Sequence, residues 1–228
     1  MRSEPKLARK AALWILITLA LLGSALPATA RHRRHSSDAP GNFDYYLLSL
    51  SWSPAFCLQS PGSPECNGPR RFGFIVHGLW PQNERGWPQN CLSSEQLTDA
   101  VAQQISDLIP APKLVYHEWS THGTCSGLSS ADFFTLVRKA HDSVSIPAPY
   151  KHPGFAIEQS PQTVVNAFMR VNPRLPEQSV VATCSNKGAP RLREVHICFD
   201  RDLNPRACSD DALREACRAP SLLVPPIR

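Results

Sequence analysis

The sequence has no Cys-x-x-Cys pair, although it contains eight cysteines. Most structural zinc sites take two ligands from such a pair, so a zinc-binding ribbon or finger is not indicated. The chain also lacks internal repeats, and from Phe43 onward it lacks a net charge. That part holds 17 of the 24 Lys and Arg residues and 17 of the 19 Asp and Glu residues. A polyanion would therefore have to bind local groups at a site, because no overall basic field attracts it.

Only one long apolar run is present, from Ala11 to Leu26, and it lies between four basic residues and the small residues Ala28-Thr29-Ala30. This order predicts a secretory signal peptide over residues 1–30, cleaved after Ala30. An uncleaved membrane anchor is the alternative, but the run is shorter than the roughly 20 residues that span a bilayer. We therefore expect an exported protein, periplasmic or extracellular, with no membrane association after cleavage. Residues 31–42 are predicted to be a flexible basic tail.

All eight cysteines follow the predicted signal peptide. An even number of cysteines in an exported chain predicts disulfide bonds. Local pairing is indicated only between Cys57 and Cys66, which lie in one loop rich in proline and glycine. The number of possible pairings is large, so the spacing alone leaves the remaining connectivity open.

Strands are predicted near both ends of the chain, where apolar or alternating runs occur. These runs are Phe43–Trp52, Phe72–His77, Val180–Cys184 and Arg193–Phe199. Helical spacing and capping residues predict helices between them. They are Ser93–Leu108, a short helix over Glu118–Thr124, Ala131–Val144, and a helix from Ser160-Pro161 to about Val171. Gly78 is expected to end the second strand, and residues 80–90 are expected to form a loop. The pattern indicates an α+β fold, a single domain over 43–228 with a central antiparallel β-sheet packed with several α-helices and stabilised by disulfides.

Three histidines form a candidate catalytic group. His77 follows the second predicted strand, and His117 and His122 flank Glu118. Imidazole exchanges protons near neutral pH, so two such rings can supply a base and an acid to one reaction. Glu118 precedes His122 by four residues, so on a helix its carboxylate is expected to hydrogen-bond that ring and raise its pKa. This set suits metal-free transfer at phosphorus, with one imidazole activating a ribose 2′-hydroxyl and the other protonating the departing 5′-oxygen.

Other interpretations of these histidines stay open at this point. Zinc proteases carry histidines four residues apart on a helix, but His117 and His122 are five apart, which disfavours a zinc hydrolase. A histidine after a strand, such as His77, is often structural, and His141 and His196 are assigned that role. On spacing alone, a structural cluster and a catalytic site are both consistent with the sequence.

Two segments resemble the active-site motifs of the ribonuclease T2 family, in the same order. They are Phe74-Ile-Val-His-Gly-Leu-Trp-Pro81 and His117-Glu-Trp-Ser-Thr-His-Gly-Thr-Cys125. The segment Trp52-Ser-Pro-Ala-Phe-Cys57 also resembles a family segment, and the resemblance extends to about Cys217. It implies a monomeric endoribonuclease that cleaves single-stranded RNA through 2′,3′-cyclic phosphate ends, with low to moderate base specificity and no cofactor. DNA, which lacks the attacking hydroxyl, would not be a substrate.

The resemblance also implies a role for each candidate residue. His77 and His122 would be the acid/base pair, with His122 activating the 2′-hydroxyl and His77 protonating the leaving group, or the reverse. Glu118 would support them, His117 would bind the phosphate, and Trp80 would stack on the base whose ribose is attacked. No metal is implied. The implied disulfides are Cys57–Cys66, Cys91–Cys125, Cys184–Cys217 and Cys198–Cys208.

Thr121 departs from the family pattern, because many members have lysine immediately before the last histidine of the second motif. A missing ammonium group would remove about 2–4 kcal/mol of transition-state stabilisation, by analogy with loss of an oxyanion donor. Arg70 and Arg71 are possible substitutes. The departure motivates an alternative function, an RNA-binding or interaction module with weakened catalysis. Base preference is expected to depend on the predicted loops 82–89 and 110–114.

Overall fold

The computed structural model describes residues 39–185 and 188–227. The predicted signal peptide and most of the predicted basic tail lie outside the described residues. Four strands form the main sheet: β1 Tyr45–Trp52, β2 Phe74–Gln82, β4 Val180–Cys184 and β5 Leu192–Phe199. They are ordered β2-β1-β5-β4, and every neighbouring pair is antiparallel. A second sheet pairs β3 Ile157–Gln159 with β6 Leu222–Val224.

Seven α-helices are described. They are α1 Ser53–Gln59, α2 Pro64–Asn67, α3 Asp99–Gln104, α4 Pro112–Thr121, α5 Ser130–Asp142, α6 Pro161–Val171 and α7 Asp210–Arg214. Two short 3₁₀ turns cover Gly123–Ser126 and Ala148–Tyr150. These elements confirm the predicted α+β class. Within the described part of the chain, no helix is long and apolar enough to cross a membrane.

Capping residues explain where the predicted helices match the structure and where they do not. Ser129 and Ser160 accept backbone N–H bonds at the starts of α5 and α6, close to the predicted positions. The predicted helix over Ser93–Leu108 is wrong at its start, because Thr98 is the residue that caps α3. The short helix predicted over Glu118–Thr124 is also wrong. Pro112, whose fixed φ suits the first turn, begins α4 earlier, and the helix ends at Thr121.

The main sheet has one apolar face and one partly polar face. Leu48, Leu50 and Val195 point into the main core, where Phe133 of α5 and Phe168 of α6 are also buried. The opposite face carries a second apolar cluster that includes Leu47 and Cys198, with Trp80 packed against it. On that face the strands also present serine, glutamate and histidine side chains. Helices α5 and α6 therefore cover the apolar face, and the polar side chains lie on the face that carries the smaller cluster.

A β-bulge interrupts the pairing of β1 with β2 at His77. Ser49 pairs with Gly78 and Leu50 pairs with Val76, which leaves His77 as the extra residue. A bulge of this kind redirects one side chain and lets the strand continue. The expectation that Gly78 ends the strand is therefore wrong, and β2 runs on to Gln82. The predicted loop over 80–90 is wrong at its start, because Trp80 belongs to the strand.

All eight cysteines are paired in the structure, with sulfur–sulfur bonds between Cys57 and Cys66, Cys91 and Cys125, Cys184 and Cys217, and Cys198 and Cys208. These are the pairs that the resemblance implies. The Cys91–Cys125 bond joins the segment after β2 to the 3₁₀ turn that follows α4. The backbone N–H of Asn90 also donates to the carbonyl of Thr121 at 2.8 Å. Two links therefore hold the end of α4 in place.

Candidate active site

His77 lies between two carboxylates on the polar face of the sheet. Its Nδ1 is 2.6 Å from Oε1 of Glu194, and its Nε2 is 3.7 Å from Oε1 of Glu118. The side chain is 33% exposed, so the ring is held firmly but solvent reaches it. Burial lowers the pKa of His77, but the hydrogen bond and charge of Glu194, together with the charge of Glu118, outweigh it and raise the pKa overall. The ring therefore holds its proton more strongly than a free imidazole does.

Glu118 is buried on α4 and bonds to the first motif, not to His122. Its Oε2 accepts a hydrogen bond from Nε1 of Trp80 at 2.7 Å, and its side chain is only 2% exposed. Burial raises the pKa of Glu118 to about 7, although the charge of His77 and the Trp80 bond oppose the rise. The prediction that Glu118 hydrogen-bonds His122 and raises its pKa is wrong, because the carboxylate is turned toward Trp80 and His77.

Gly78 makes this arrangement possible. A Cβ at this position would lie 2.0 Å from Oε2 of Glu118 and 2.3 Å from Nε1 of Trp80. Real side chains do not tolerate such distances, so only glycine lets the Glu118–Trp80 bond cross the strand here. The second glycine with a similar role is Gly123, where a Cβ would lie 2.4 Å from the Trp119 ring. Both glycines are therefore required by close packing around the site.

His122 follows the last residue of α4 and caps the helix, with its backbone N–H bonded to the carbonyl of Glu118. Its ring lies against the Trp80 indole, with centroids 5.3 Å apart and an angle of 33° between the planes. Its buried Nδ1 has no hydrogen-bond partner among residues 39–185 and 188–227. Burial, followed by the charges of His117 and His77, lowers the pKa of His122 to about 4. The ring is therefore neutral above that pH and able to accept a proton.

Trp80 brings the two motifs together. Its ring centroid is 5.2 Å from that of His77, which it meets nearly edge-on, and 5.3 Å from that of His122. Trp80 and His122 also line a cavity of about 200 Å³ together with Trp87, whose side chain is half-exposed. The cavity has these three aromatic rings as walls, and the carboxylates of Asp211 and Glu215 also line it. It can hold a flat ring next to His122.

His117 lies on the exposed side of α4, next to His122. Their ring centroids are 6.5 Å apart, and Nδ1 of His117 is 3.4 Å from the hydroxyl of Thr121. The two arginines that could replace the missing lysine lie elsewhere. Arg70 stacks over the Phe72 ring at 5.0 Å, and Nη1 of Arg71 donates to the Gly68 carbonyl. Neither arginine contacts the three histidines in the described part of the structure.

Two residues of the site were missed by the sequence reasoning. The sequence pattern assigns no role to Glu194, and it predicts a structural role for His196. In the structure Nε2 of His196 is 3.0 Å from Oε2 of Glu194, whose other oxygen contacts His77. The alternation of the β5 segment puts positions 194 and 196 on one face of the sheet, and this signal could have identified them. Pairing with His77 was not visible, because it depends on strand order.

The three histidines do not converge as a metal-binding group. Across the described ranges, one set of three His, Cys, Asp or Glu residues has ligand atoms within 4.8 Å of one another, and it consists of Cys57, Glu65 and Cys66. The two sulfurs of that set are already joined to each other. A disulfide is a poor ligand, because thiolate is the metal-binding form of cysteine. The arrangement of this chain suits proton transfer by imidazole and carboxylate groups.

This chain is similar in sequence to known ribonucleases. The sequence model of the ribonuclease T2 family matches residues 43–208. A ribonuclease of Aeromonas hydrophila is 32% identical over 225 residues, which cover 91% of this chain and 97% of that protein. Ribonuclease DdI of Dictyostelium discoideum is 27% identical over 172 residues, which cover 67% of this chain and 74% of that protein.

A similar fold occurs among solved structures. Ribonuclease MC1 from the seeds of bitter gourd superposes with a TM-score of 0.63 at 23% identity, over 79% of this chain and 99% of that one. The family model covers both histidine motifs, and the Aeromonas hydrophila relative is similar over nearly its whole length. This chain is therefore a member of the ribonuclease T2 family.

Proposed function

We propose that this ribonuclease T2 family endoribonuclease cleaves single-stranded RNA by transphosphorylation, with His122 as the general base and His77 as the general acid. One observation carries the proposal. The imidazoles of His77 and His122 both contact the Trp80 indole, but their pKa values are shifted in opposite directions. The pKa of His122 is lowered and that of His77 is raised. The lowered pKa keeps the His122 ring neutral and able to accept a proton, and the raised pKa favours a protonated His77 ring that can donate one.

In the proposed reaction, His122 removes the proton of a ribose 2′-hydroxyl, and the oxygen attacks the neighbouring phosphorus. The bond from phosphorus to the 5′-oxygen then breaks, and Nε2 of His77 gives its proton to the departing oxygen. The products are a 2′,3′-cyclic phosphate and a free 5′-hydroxyl. The two rings end with exchanged charges and return to their starting forms through solvent. DNA is inert because it has no 2′-hydroxyl.

Three further residues support this reaction in the proposal. His117, exposed beside His122, binds the phosphate. Glu118, at 3.7 Å from Nε2 of His77, favours the charged form of that ring and fixes the Trp80 indole. Trp80 stacks on the base whose ribose is attacked, and Trp87 forms another aromatic wall of the same cavity. Stacking accepts every base, so we propose low to moderate base specificity.

The alternative of an RNA-binding module with weakened catalysis depends on Thr121 alone. The presence of an acid, a base and a supporting carboxylate in one site favours catalysis. Four disulfides favour an oxidising compartment, and we propose that the protein is exported to the periplasm or the extracellular medium. We also propose that residues 43–228 act as a monomeric single domain, because one chain supplies every group that the mechanism uses.

Purified mature protein should cleave single-stranded RNA in the presence of a chelator and leave 2′,3′-cyclic phosphate ends. The acid and the base are both side chains, so removal of divalent metal should change the rate by less than about twofold, whereas general acid–base catalysis contributes about 10²–10⁴-fold. Mass spectrometry of the products identifies the ends, and DNA of the same sequence is the control. Cleavage of DNA, hydrolysis to 5′-phosphate ends, or loss of activity with the chelator would contradict the proposed reaction.

Replacing Thr121 by lysine should raise kcat about tenfold or more. One donor that stabilises the charge of the transition state contributes roughly 2–4 kcal/mol, and we expect the new ammonium group to recover part of that energy. The Thr121 hydroxyl is 3.4 Å from the His117 ring, so an ammonium group at this position can reach the phosphate that we assign to His117. Initial rates on a dinucleoside phosphate measure the change. Ser120→Lys is the matched control, because it adds the same charge to the same helical turn at an exposed position whose hydroxyl bonds the His117 carbonyl. Equal rate increases in both variants, or none in Thr121→Lys, would show that position 121 does not face the transition state.

A further inference from the structure

Glu194 and His196 are two buried titratable residues next to the candidate acid. They lie two residues apart on β5, opposite Ser51 and Ser49 of β1, so their side chains are on the same face as His77. Glu194 is 4% exposed and His196 is fully buried. A buried carboxylate is costly unless its oxygens are hydrogen-bonded, so the contacts of this pair need an explanation.

The two carboxylate oxygens of Glu194 face different imidazoles. Oε1 is 2.6 Å from Nδ1 of His77, and Oε2 is 3.0 Å from Nε2 of His196. Oε2 also accepts a longer hydrogen bond, at 3.3 Å, from Nη2 of the half-exposed Arg193. The second nitrogen of His196, Nδ1, is 3.6 Å from Oε2 of Glu215, which reaches in from the segment after α7. Carboxylates and imidazoles therefore alternate in a row from the candidate acid to Glu215, but the last contact is longer than a hydrogen bond, and Nδ1 of His196 has no hydrogen-bond partner among the described residues.

The charge of Glu194 fixes where the protons lie in this row. Burial raises the pKa of Glu194, but the hydrogen bonds with His196 and His77 outweigh it and hold the pKa well below its usual range. An ionised carboxylate can only accept hydrogen bonds, so the nitrogens that face it must carry hydrogens. Nδ1 of His77 is therefore a donor, and Nε2 is the nitrogen left for the substrate. The His77 ring cannot adopt the other tautomer without breaking the 2.6 Å hydrogen bond from Nδ1 to Glu194.

Other charged groups around His77 are less suited to this role. Glu118 of α4 is farther away at 3.7 Å, and its own pKa is raised to about 7, so it is partly protonated near neutral pH. Glu65 of α2 and His122 interact with His77 only through space, and the charge of Arg193 on β5 opposes protonation. Glu194 is thus the carboxylate that orients the ring and remains charged.

We propose that Glu194, held in place by His196, is a positioning residue that orients the His77 ring and keeps it charged for protonation of the leaving group. The inference rests on the proposed function, because it assumes that His77 is the acid. A purely structural role for the same buried row is the competing explanation. A positioning role predicts that loss of Glu194 slows only substrates whose leaving group needs a proton. A purely structural role predicts an equal loss on all substrates.

The test compares Glu194→Gln with the wild-type protein on two substrates. One is a dinucleoside phosphate, whose alkoxide leaving group needs protonation, and the other is the 4-nitrophenyl ester of a nucleoside 3′-phosphate, whose leaving group does not. Glutamine keeps the shape and can still accept from Nδ1 of His77, but it removes the negative charge. We expect kcat for the dinucleoside phosphate to fall about tenfold to a hundredfold, with little change in KM. This loss is smaller than the roughly 10²–10⁴-fold that acid–base catalysis contributes, because the His77 ring itself is still present. The rate with the 4-nitrophenyl ester should stay within about threefold of wild type, and the alkaline limb of the pH–kcat profile should move to lower pH.

The ratio of the two rates does not depend on how much of a variant is folded, so a partly unfolded preparation still gives an answer. His196→Leu, which removes the closer of the two donors to Oε2 of Glu194, should show the same selective loss, and His196→Gln, which can keep a donor, should restore most of it. Equal loss on both substrates, or an unchanged rate on the dinucleoside phosphate, would overturn the positioning role while leaving the nuclease assignment intact. If the wild-type protein cleaved neither substrate, the proposed function itself would fail.

Discussion

Replacing His122 by alanine should lower kcat for RNA cleavage by about 10²–10⁴-fold, the usual contribution of a general base. The ring contacts Trp80 and is fixed at the end of α4 by the Cys91–Cys125 bond, but its Nδ1 makes no hydrogen bond to any described residue. The variant should therefore fold and bind RNA nearly as well as wild type. The measurement is the initial rate on a dinucleoside phosphate, together with the melting temperature.

The pH dependence gives a second readout of the same substitution. In the wild-type protein, kcat should fall as the pH drops toward about 4, because His122 becomes protonated and cannot accept a proton. It should also fall at alkaline pH as His77, whose pKa is raised, loses its proton. The acid limb should disappear in His122→Ala. His152→Ala, which removes an exposed histidine, should leave the profile unchanged. Full activity of folded His122→Ala would exclude this residue as the base.

Replacing Gly78 by alanine should both destabilise the protein and nearly abolish its activity. The added Cβ would lie within 2.0 Å of Glu118 Oε2 and 2.3 Å of Trp80 Nε1, so their buried hydrogen bond cannot survive. Overpacking costs about 1–3 kcal/mol, and a buried polar group left without a partner costs a further 1–3 kcal/mol or so. For a domain of this size each kcal/mol lowers the melting temperature by about 2–4 °C. Displacement of Glu118 and Trp80 should also lower kcat.

Gly154→Ala is the matched control, because a Cβ at position 154 would meet nothing within 4 Å. A glycine replaced without strain changes stability by about 0.4–1 kcal/mol in the favourable direction. Calorimetry and dinucleotide kinetics on the two variants separate the effect of crowding from the general effect of an added methyl group. If Gly78→Ala kept its melting temperature and its kcat, the Glu118–Trp80 contact would not be needed for the site.

The sequence was sufficient for the parts of the fold that depend on local patterns. Strands β1, β4 and β5 and helices α5 and α6 lie within a few residues of their predicted positions, because apolar alternation and serine caps act locally. The start of α3 was misplaced because several polar residues before it could each serve as a cap. The continuation of β2 past Gly78 was missed because a bulge depends on how the partner strand pairs, which one strand's sequence does not reveal.

In the candidate site, too, the sequence identifies what depends on local motifs and misses what depends on the whole fold. His77, Glu118 and His122 could be identified from two motifs, but the partner of Glu118 could not. Helical spacing suggested His122 as that partner, yet the carboxylate bonds Trp80, whose indole is brought close by the strand that carries it. Glu194 was missed for a related reason. It meets His77 across β1, and the order of strands in a sheet is set by the whole fold.

The Cys91–Cys125 bond also affects when the newly made chain can become active. The loop that it closes spans 34 residues, and a cross-link of that size typically stabilises the folded state by about 3–4 kcal/mol. In the reducing cytosol this bond and the other three do not persist. We expect the newly made polypeptide to be latent there, with His122 not yet fixed beside Trp80, so that ribosomal and messenger transcripts of the host are spared until oxidation completes the enzyme.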